Sequence, residues 1–190
     1  MTWWKRLIWV GCAFLALALY ILPMLFKQLA ITYQFPKQWT IGLGILLIIL
    51  ILLVFVAVAK KTGILSPSGK IFQKGDGKRI ALGLLGMLLI SVLGTVLLRW
   101  LHGEVTTANQ ASLMEEFRRG DIILLSIMLG VLAPIAEEII FRGIIPQKIF
   151  KGYESWGYII GGLLFALFHG PTNIMSFVIY GGASVILTLL

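Results

Sequence analysis

IILLSIMLGVLAPIAEEIIFR, residues 122–142, is the stretch on which the fold turns. Residues 122–141 have the length that crosses a hydrocarbon core as a helix. Yet Glu137 and Glu138 stand inside this otherwise apolar run, and Arg142 closes it. A charged group at the bilayer centre costs about 3 kcal/mol or more, so two carboxylates kept side by side mark a candidate site for chemistry.

The rest of the chain fits the same setting. Of 190 residues, 59% are hydrophobic and 13% charged, too apolar a balance for a domain with a water-facing surface. Further apolar runs fall at 7–26, 41–59 and 80–98, with shorter ones at 158–169 and 174–190. The expected fold is therefore all-α, a multi-pass transmembrane helical bundle of about six spans, in a single membrane domain 1–190. Gly161 and Gly162 would let another helix approach the fifth span, and Asn173 would cap the sixth after Pro171 has interrupted the chain. The run at 7–26 is too long for a signal peptide and no small-x-small cleavage site follows it, so it reads as a retained span.

The net charge of +8 is topological. Basic residues lie between the apolar runs rather than along one face, which excludes a nucleic-acid module. With the N-terminus inside, eleven lysines and arginines collect on the inner side and five on the outer, so a cell-membrane protein with a cytoplasmic N-terminus is expected. Glu137 and Glu138 then lie near the cytoplasmic end of the fourth span. The loop 60–79, with Ser66-Pro67-Ser68-Gly69 and Gly75-Asp76-Gly77, has turn chemistry and a basic surplus suited to anionic headgroups. The segment 107–120 has an asparagine or threonine cap and helix formers, and suggests a short helix on the outer membrane face; its Glu115, Glu116, Arg118 and Arg119 read as a solvated face. The single cysteine, Cys12, supports neither a disulfide framework nor a cysteine metal site.

Glu138 and Arg142, at i and i+4, project from nearly the same side of a helix and can pair. Glu137 points elsewhere and is left for a cavity, where a carboxylate can act as a general base on water. The same three residues would also serve as a buried structural ion cluster or as a helix end at the headgroups. A second feature is Phe165-Ala-Leu-Phe-His169, again with its outer members at i and i+4. His169 alone reads as a helix-end residue; beside intramembrane glutamates it can orient water or share a proton. A strict six-span count puts His169 toward the outer face and Glu137 toward the inner one. The fifth segment must therefore be short, tilted or partly re-entrant for them to meet.

These two motifs, A-P-I-A-E137-E138-I-I-F-R142-G and F165-A-L-F-H169, resemble the CPBP family of intramembrane glutamic proteases, also called the Abi or CAAX amino protease family, which includes the Rce1-type enzymes. The likeness covers roughly 107–190. It implies a helical membrane protease opening toward the cytoplasm, in which Glu137 activates water, His169 assists, and Glu138, Arg142 and Phe165 support the site. It assigns no metal and no cofactor, and the sequence has no H-E-x-x-H and no zinc-ligand spacing. The family's further helix carrying H-x-x-x-N, which resembles an oxyanion-stabilising pair, is expected beyond Leu190, where this chain ends in an apparent truncation. His169-Gly-Pro-Thr-Asn173 fits that pattern only literally, because Pro171 spoils a helix between the two residues.

Three functions remain in view. The leading one is a glutamate-dependent endopeptidase that cleaves membrane-associated peptides or proteins, CAAX-type proteins among them. The second is a non-catalytic membrane protein that binds a bacteriocin-like peptide and confers immunity, which the resemblance also allows. The third is an ion or proton carrier using Glu137, Glu138 and His169 as a relay, for which the earlier spans offer no matching polar residues.

Overall fold

The computed structural model describes residues 2–65, 75–118 and 122–189. Within them the chain is helical and holds no strand. This is the bundle the apolar runs demand, since a helix satisfies its own backbone hydrogen bonds where lipid offers none. The elements are α1 (Trp3–Thr32), α2 (Lys37–Lys61), α3 (Asp76–His102), α4 (Ala108–Arg118), then a continuous helical stretch of α5 (Ile122–Ile127), π1 (Met128–Leu132), α6 (Ala133–Glu137) and π2 (Glu138–Ile149), and finally α7 (Glu154–Phe168) and α8 (Ile174–Leu189). Four of these, α1, α2, α3 and the stretch Ile122–Ile149, are long and apolar enough to cross a membrane. By contrast, α7 and α8 have 15 and 16 residues. They reach roughly 22–24 Å, less than the hydrocarbon thickness. The turn residues 66–69 and the basic Lys70 and Lys74, like Arg119 and Gly120, lie outside the described residues.

The chain divides into two compact units, residues 1–67 with 116–157 and residues 68–115 with 158–190. In the first, α1 packs on α2 and π2, and α2 on α5. Gly44 of α2 sits so close to Leu124 that an added Cβ would fall 2.8 Å from a leucine methyl. One end of this unit is stitched by basic side chains reaching helix C-termini. Arg6 donates to the carbonyls of Ile149 and Lys151 at 3.0 and 3.1 Å, and Lys148 donates to Thr62 O at 2.6 Å. A cation at a helix C-terminus meets the unsatisfied carbonyls and the negative end of the dipole, so these contacts satisfy groups that lipid would strand. They also bring the start of α1, the end of α2 and the end of π2 to the same end.

At the other end of α1, Lys27 is buried and pairs with Glu116 of α4 at 2.7 Å. This corrects the reading of Glu116 as part of a solvated face: its side chain is 23% exposed and held by a lysine far away in the sequence.

In the second unit α3 lies along α8 with glycines and isoleucines interlocked. Ile186 faces Gly86, Ile90 faces Gly182, and Ile179 faces Gly94. Positions rise along α3 as they fall along α8, so the helices run antiparallel. Small residues let the backbones approach, and each branched side chain fills the notch opposite. Gly162 of α7 similarly abuts Ser184 of α8, as expected of a glycine kept for helix contact. Two reciprocal caps fix the helix starts. Thr107 and Gln110 exchange backbone and side-chain bonds of 3.3 Å at the head of α4. Asn173 Oδ1 accepts from Ser176 N at 2.8 Å while Ser176 Oγ accepts from Asn173 N, so Asn173 caps α8 as expected. The C-terminus of α3 closes on Gly103, whose φ of +71° places it in the left-handed region and whose N–H bonds Arg99 O.

Candidate functional site

In the first unit the expected pair is present: Arg142 Nη1 donates to Glu138 Oε2 at 3.3 Å. The two ends of the pair differ sharply. The Arg142 side chain is 7% exposed and the Glu138 side chain 57%. The guanidinium is therefore the fixed member and the carboxylate the accessible one.

The helix that carries them departs from expectation. From Glu138 onward the turns widen into π2, and Pro146 lies inside this segment. Proline has no N–H to give and disfavours a regular α-helix. The Gln147 side-chain amide donates to Arg142 O at 3.3 Å, serving a carbonyl next to the disturbed turn. Such π segments are rare and recur at functional sites. A cavity of about 60 Å³ opens beside them, lined by Ile64, Glu138, Ile139, Arg142, Gly143 and Gln147 among others. That volume admits water, and the carboxylate, guanidinium and amide give water partners there.

Glu137 is half-buried and does not line this cavity. It stands within electrostatic reach of Arg142 and of Tyr20, a tyrosine of α1 that was not among the expected site residues. A phenol in the middle of a first span is itself a signal, since its hydroxyl needs a partner at that depth.

In the second unit Phe165 and His169 stand together at the end of α7. His169 is half-buried, with its Nδ1 2.8 Å from Phe165 O and its ring 4.5 Å from the Phe165 ring. A carbonyl oxygen only accepts, so the bond places a proton on Nδ1. In the neutral ring Nε2 then carries the lone pair, and no hydrogen-bond partner holds it among the described residues. Tyr180 of α8 stacks on the imidazole at 4.5 Å and 23°. Asn173 has its oxygen committed to the α8 cap and its amide nitrogen to Glu104 at 3.0 Å. Among the described residues no three histidine, cysteine or acidic side chains gather as a metal site.

The structure thus brings Glu138 to Arg142 and Phe165 to His169. Glu137, Glu138 and Arg142 belong to one compact unit, Phe165 and His169 to the other.

Comparison with known proteins agrees with the resemblance carried by the motifs. Residues 119–190 match the family described as type II CAAX prenyl endopeptidase Rce1-like. Over 112 residues the chain is 32% identical to the UPF0177 protein YvdC of Lactococcus lactis subsp. lactis (strain IL1403), an alignment that takes in 59% of this chain and 42% of that relative. The chain therefore spans less than half the length of the curated relative it matches. No solved structure matches.

Proposed function

We propose, from the Rce1-like match over residues 119–190, that this chain carries the catalytic motifs of an intramembrane glutamate-dependent endopeptidase acting on membrane-associated peptides or proteins. The observation that carries the reading is the division of labour at 137–142. Arg142 is buried and held to Glu138, which leaves Glu137 outside that hydrogen bond as the carboxylate proposed to act on water.

In the proposed reaction Glu137 takes a proton from a water molecule, whose oxygen attacks the peptide carbonyl. The proton passes to the leaving amine as the C–N bond breaks. His169, with Nδ1 engaged by Phe165 O, offers Nε2 as a proton acceptor, the assisting role that the family resemblance implies. Arg142 and Glu138 fix the local charge. Prenylated CAAX-type proteins are one substrate class consistent with the family description. The site lies in the cell membrane, and the N-terminus faces the cytoplasm.

The test is cleavage of a fluorogenic membrane peptide by purified protein in bicelles. Glu137→Gln should lower the rate about 100-fold to 10,000-fold, the range of a lost general base. Glu115→Gln should leave it within twofold. Equal rates for wild type and Glu137→Gln would overturn the assignment. Protection of cells from a peptide toxin by Glu137→Gln, with no cleavage by the wild type, would favour the peptide-binding immunity reading instead.

A further inference from the structure

The second unit contains a contact chain that the two motifs do not explain. Tyr180 lies eleven residues beyond His169, on the next helix, yet its ring covers the imidazole face at 4.5 Å with 23° between the planes. The opposite end of Tyr180 is anchored too. Its hydroxyl is 2.6 Å from Thr107 Oγ1, and Thr107 is a buried residue fixed by the reciprocal cap at the head of α4. Phe165 closes on the imidazole at 4.5 Å and 44°, and Phe168 meets it edge-on at 6.2 Å.

An imidazole has two torsions to fix and two nitrogens to distinguish. The Nδ1 bond to Phe165 O defines the tautomer only while the ring keeps its angle, because rotation about the Cβ–Cγ bond would aim Nδ1 away from that carbonyl. Stacked and tilted rings on its faces oppose that rotation. His169 sits just past the last residue of α7, where the next glycine has a φ of +59° and Pro171 follows, so no further turn of helix covers the side of the ring that Tyr180 takes.

We infer that Tyr180 is a positioning residue. Anchored through Thr107, it locks the His169 ring so that Nδ1 carries the proton and Nε2 alone is presented for chemistry. This inference rests on the proposed role of His169 but makes a claim about the ring itself.

The experiment reads both. In a His102→Gln background His169 is the sole histidine, and ¹⁵N NMR of histidine-labelled protein in bicelles reports its tautomer directly. Wild type should show one Nδ1-protonated form at neutral pH. Tyr180→Leu should show a mixture of tautomers and a cleavage rate lowered about tenfold or more, with KM within twofold, as misplacement of a catalytic group does. Tyr180→Phe keeps the ring but gives up the Thr107 anchor, so its tautomer ratio should lie between those of wild type and Tyr180→Leu, with at least a third of the wild-type rate. Thr107→Val should shift the tautomer ratio in the direction of Tyr180→Leu, and it decides the matter if Tyr180→Leu fails to fold. A folded Tyr180→Leu protein with an unchanged single tautomer, or with full activity, overturns the inference. Should the wild type cleave nothing, the protease reading falls while the tautomer measurements still test the lock.

Discussion

Arg142 is the residue around which the charged cluster of the first unit is arranged. Its side chain is almost fully enclosed, and its partner Glu138 is more than half exposed. The two ends of the pair should therefore respond differently to substitution. Glu138→Gln removes a partly solvated carboxylate but keeps an amide oxygen that can accept from the guanidinium, so its cost to stability should be about 1 kcal/mol, the scale of one hydrogen bond. Arg142→Lys keeps the charge but replaces a planar fork with a compact ammonium, which cannot reproduce guanidinium geometry in an enclosed place. Its thermal unfolding temperature in detergent should fall further than that of Glu138→Gln, and its cleavage rate should drop about tenfold or more if Arg142 sets the position of both glutamates. Unchanged stability and rate in Arg142→Lys would mean that charge alone matters at position 142. The pair itself was readable from the sequence because its members are four residues apart. The misreading of Glu116 has the opposite cause, since Lys27 lies 89 positions away and spacing along one helix carries no information about it. Tyr180 escaped for the same reason, since it reaches His169 only through tertiary folding, and Tyr20 comes within electrostatic reach of Glu137 in the same way.

At the scale of elements, the spans were legible because apolar length alone decides what can cross lipid. Which spans pair was not. The α3–α8 seam depends on Gly86, Ile90 and Gly94 falling opposite Ile186, Gly182 and Ile179, a register that exists only when the two helices run antiparallel. Gly94 is the tightest point, where an added Cβ would lie 2.4 Å from Ile179 Cγ1. Gly94→Ala should destabilise by about 1–3 kcal/mol through overpacking. In an Ile179→Ala background the notch is empty, so the same substitution should cost at least 1 kcal/mol less, a coupling expected only of residues in contact. Unfolding of the four proteins by denaturant in mixed micelles measures the cycle, and strictly additive costs would show that the helices do not meet in this register. The widening into π2 was also hidden from the sequence. Helical-wheel reasoning assumes one turn width throughout, whereas Pro146 changes the hydrogen-bond pattern next to the carbonyl of the very arginine the motif relies on.

At the scale of the whole molecule, the question is which way the chain sits in the membrane. Within the first unit the contacts of Arg6 with Ile149 and Lys151, and of Lys148 with Thr62, require residues near 5, 61 and 151 to share one side. That end carries Lys5, Arg6, Lys60, Lys61, Lys148 and Lys151, while α2 begins at the opposite end with Lys37. Basic residues flanking spans are retained on the cytoplasmic side, so the stitched end should be inside. Replacing Cys12 by alanine and introducing single cysteines at Gln38, Lys61 and Lys151 turns this into a labelling experiment with a membrane-impermeant maleimide on intact cells. The cysteine at 38 should react from outside, and those at 61 and 151 only after permeabilisation. Labelling of both 61 and 151 from outside would invert the orientation and put the Glu138 cavity on the outer side, leaving the helix contacts intact. Labelling that separates 61 from 151 would be more damaging, because Lys148 could not then reach Thr62 and the cavity lined by Ile64, Glu138 and Arg142 would have no wall on the α2 side.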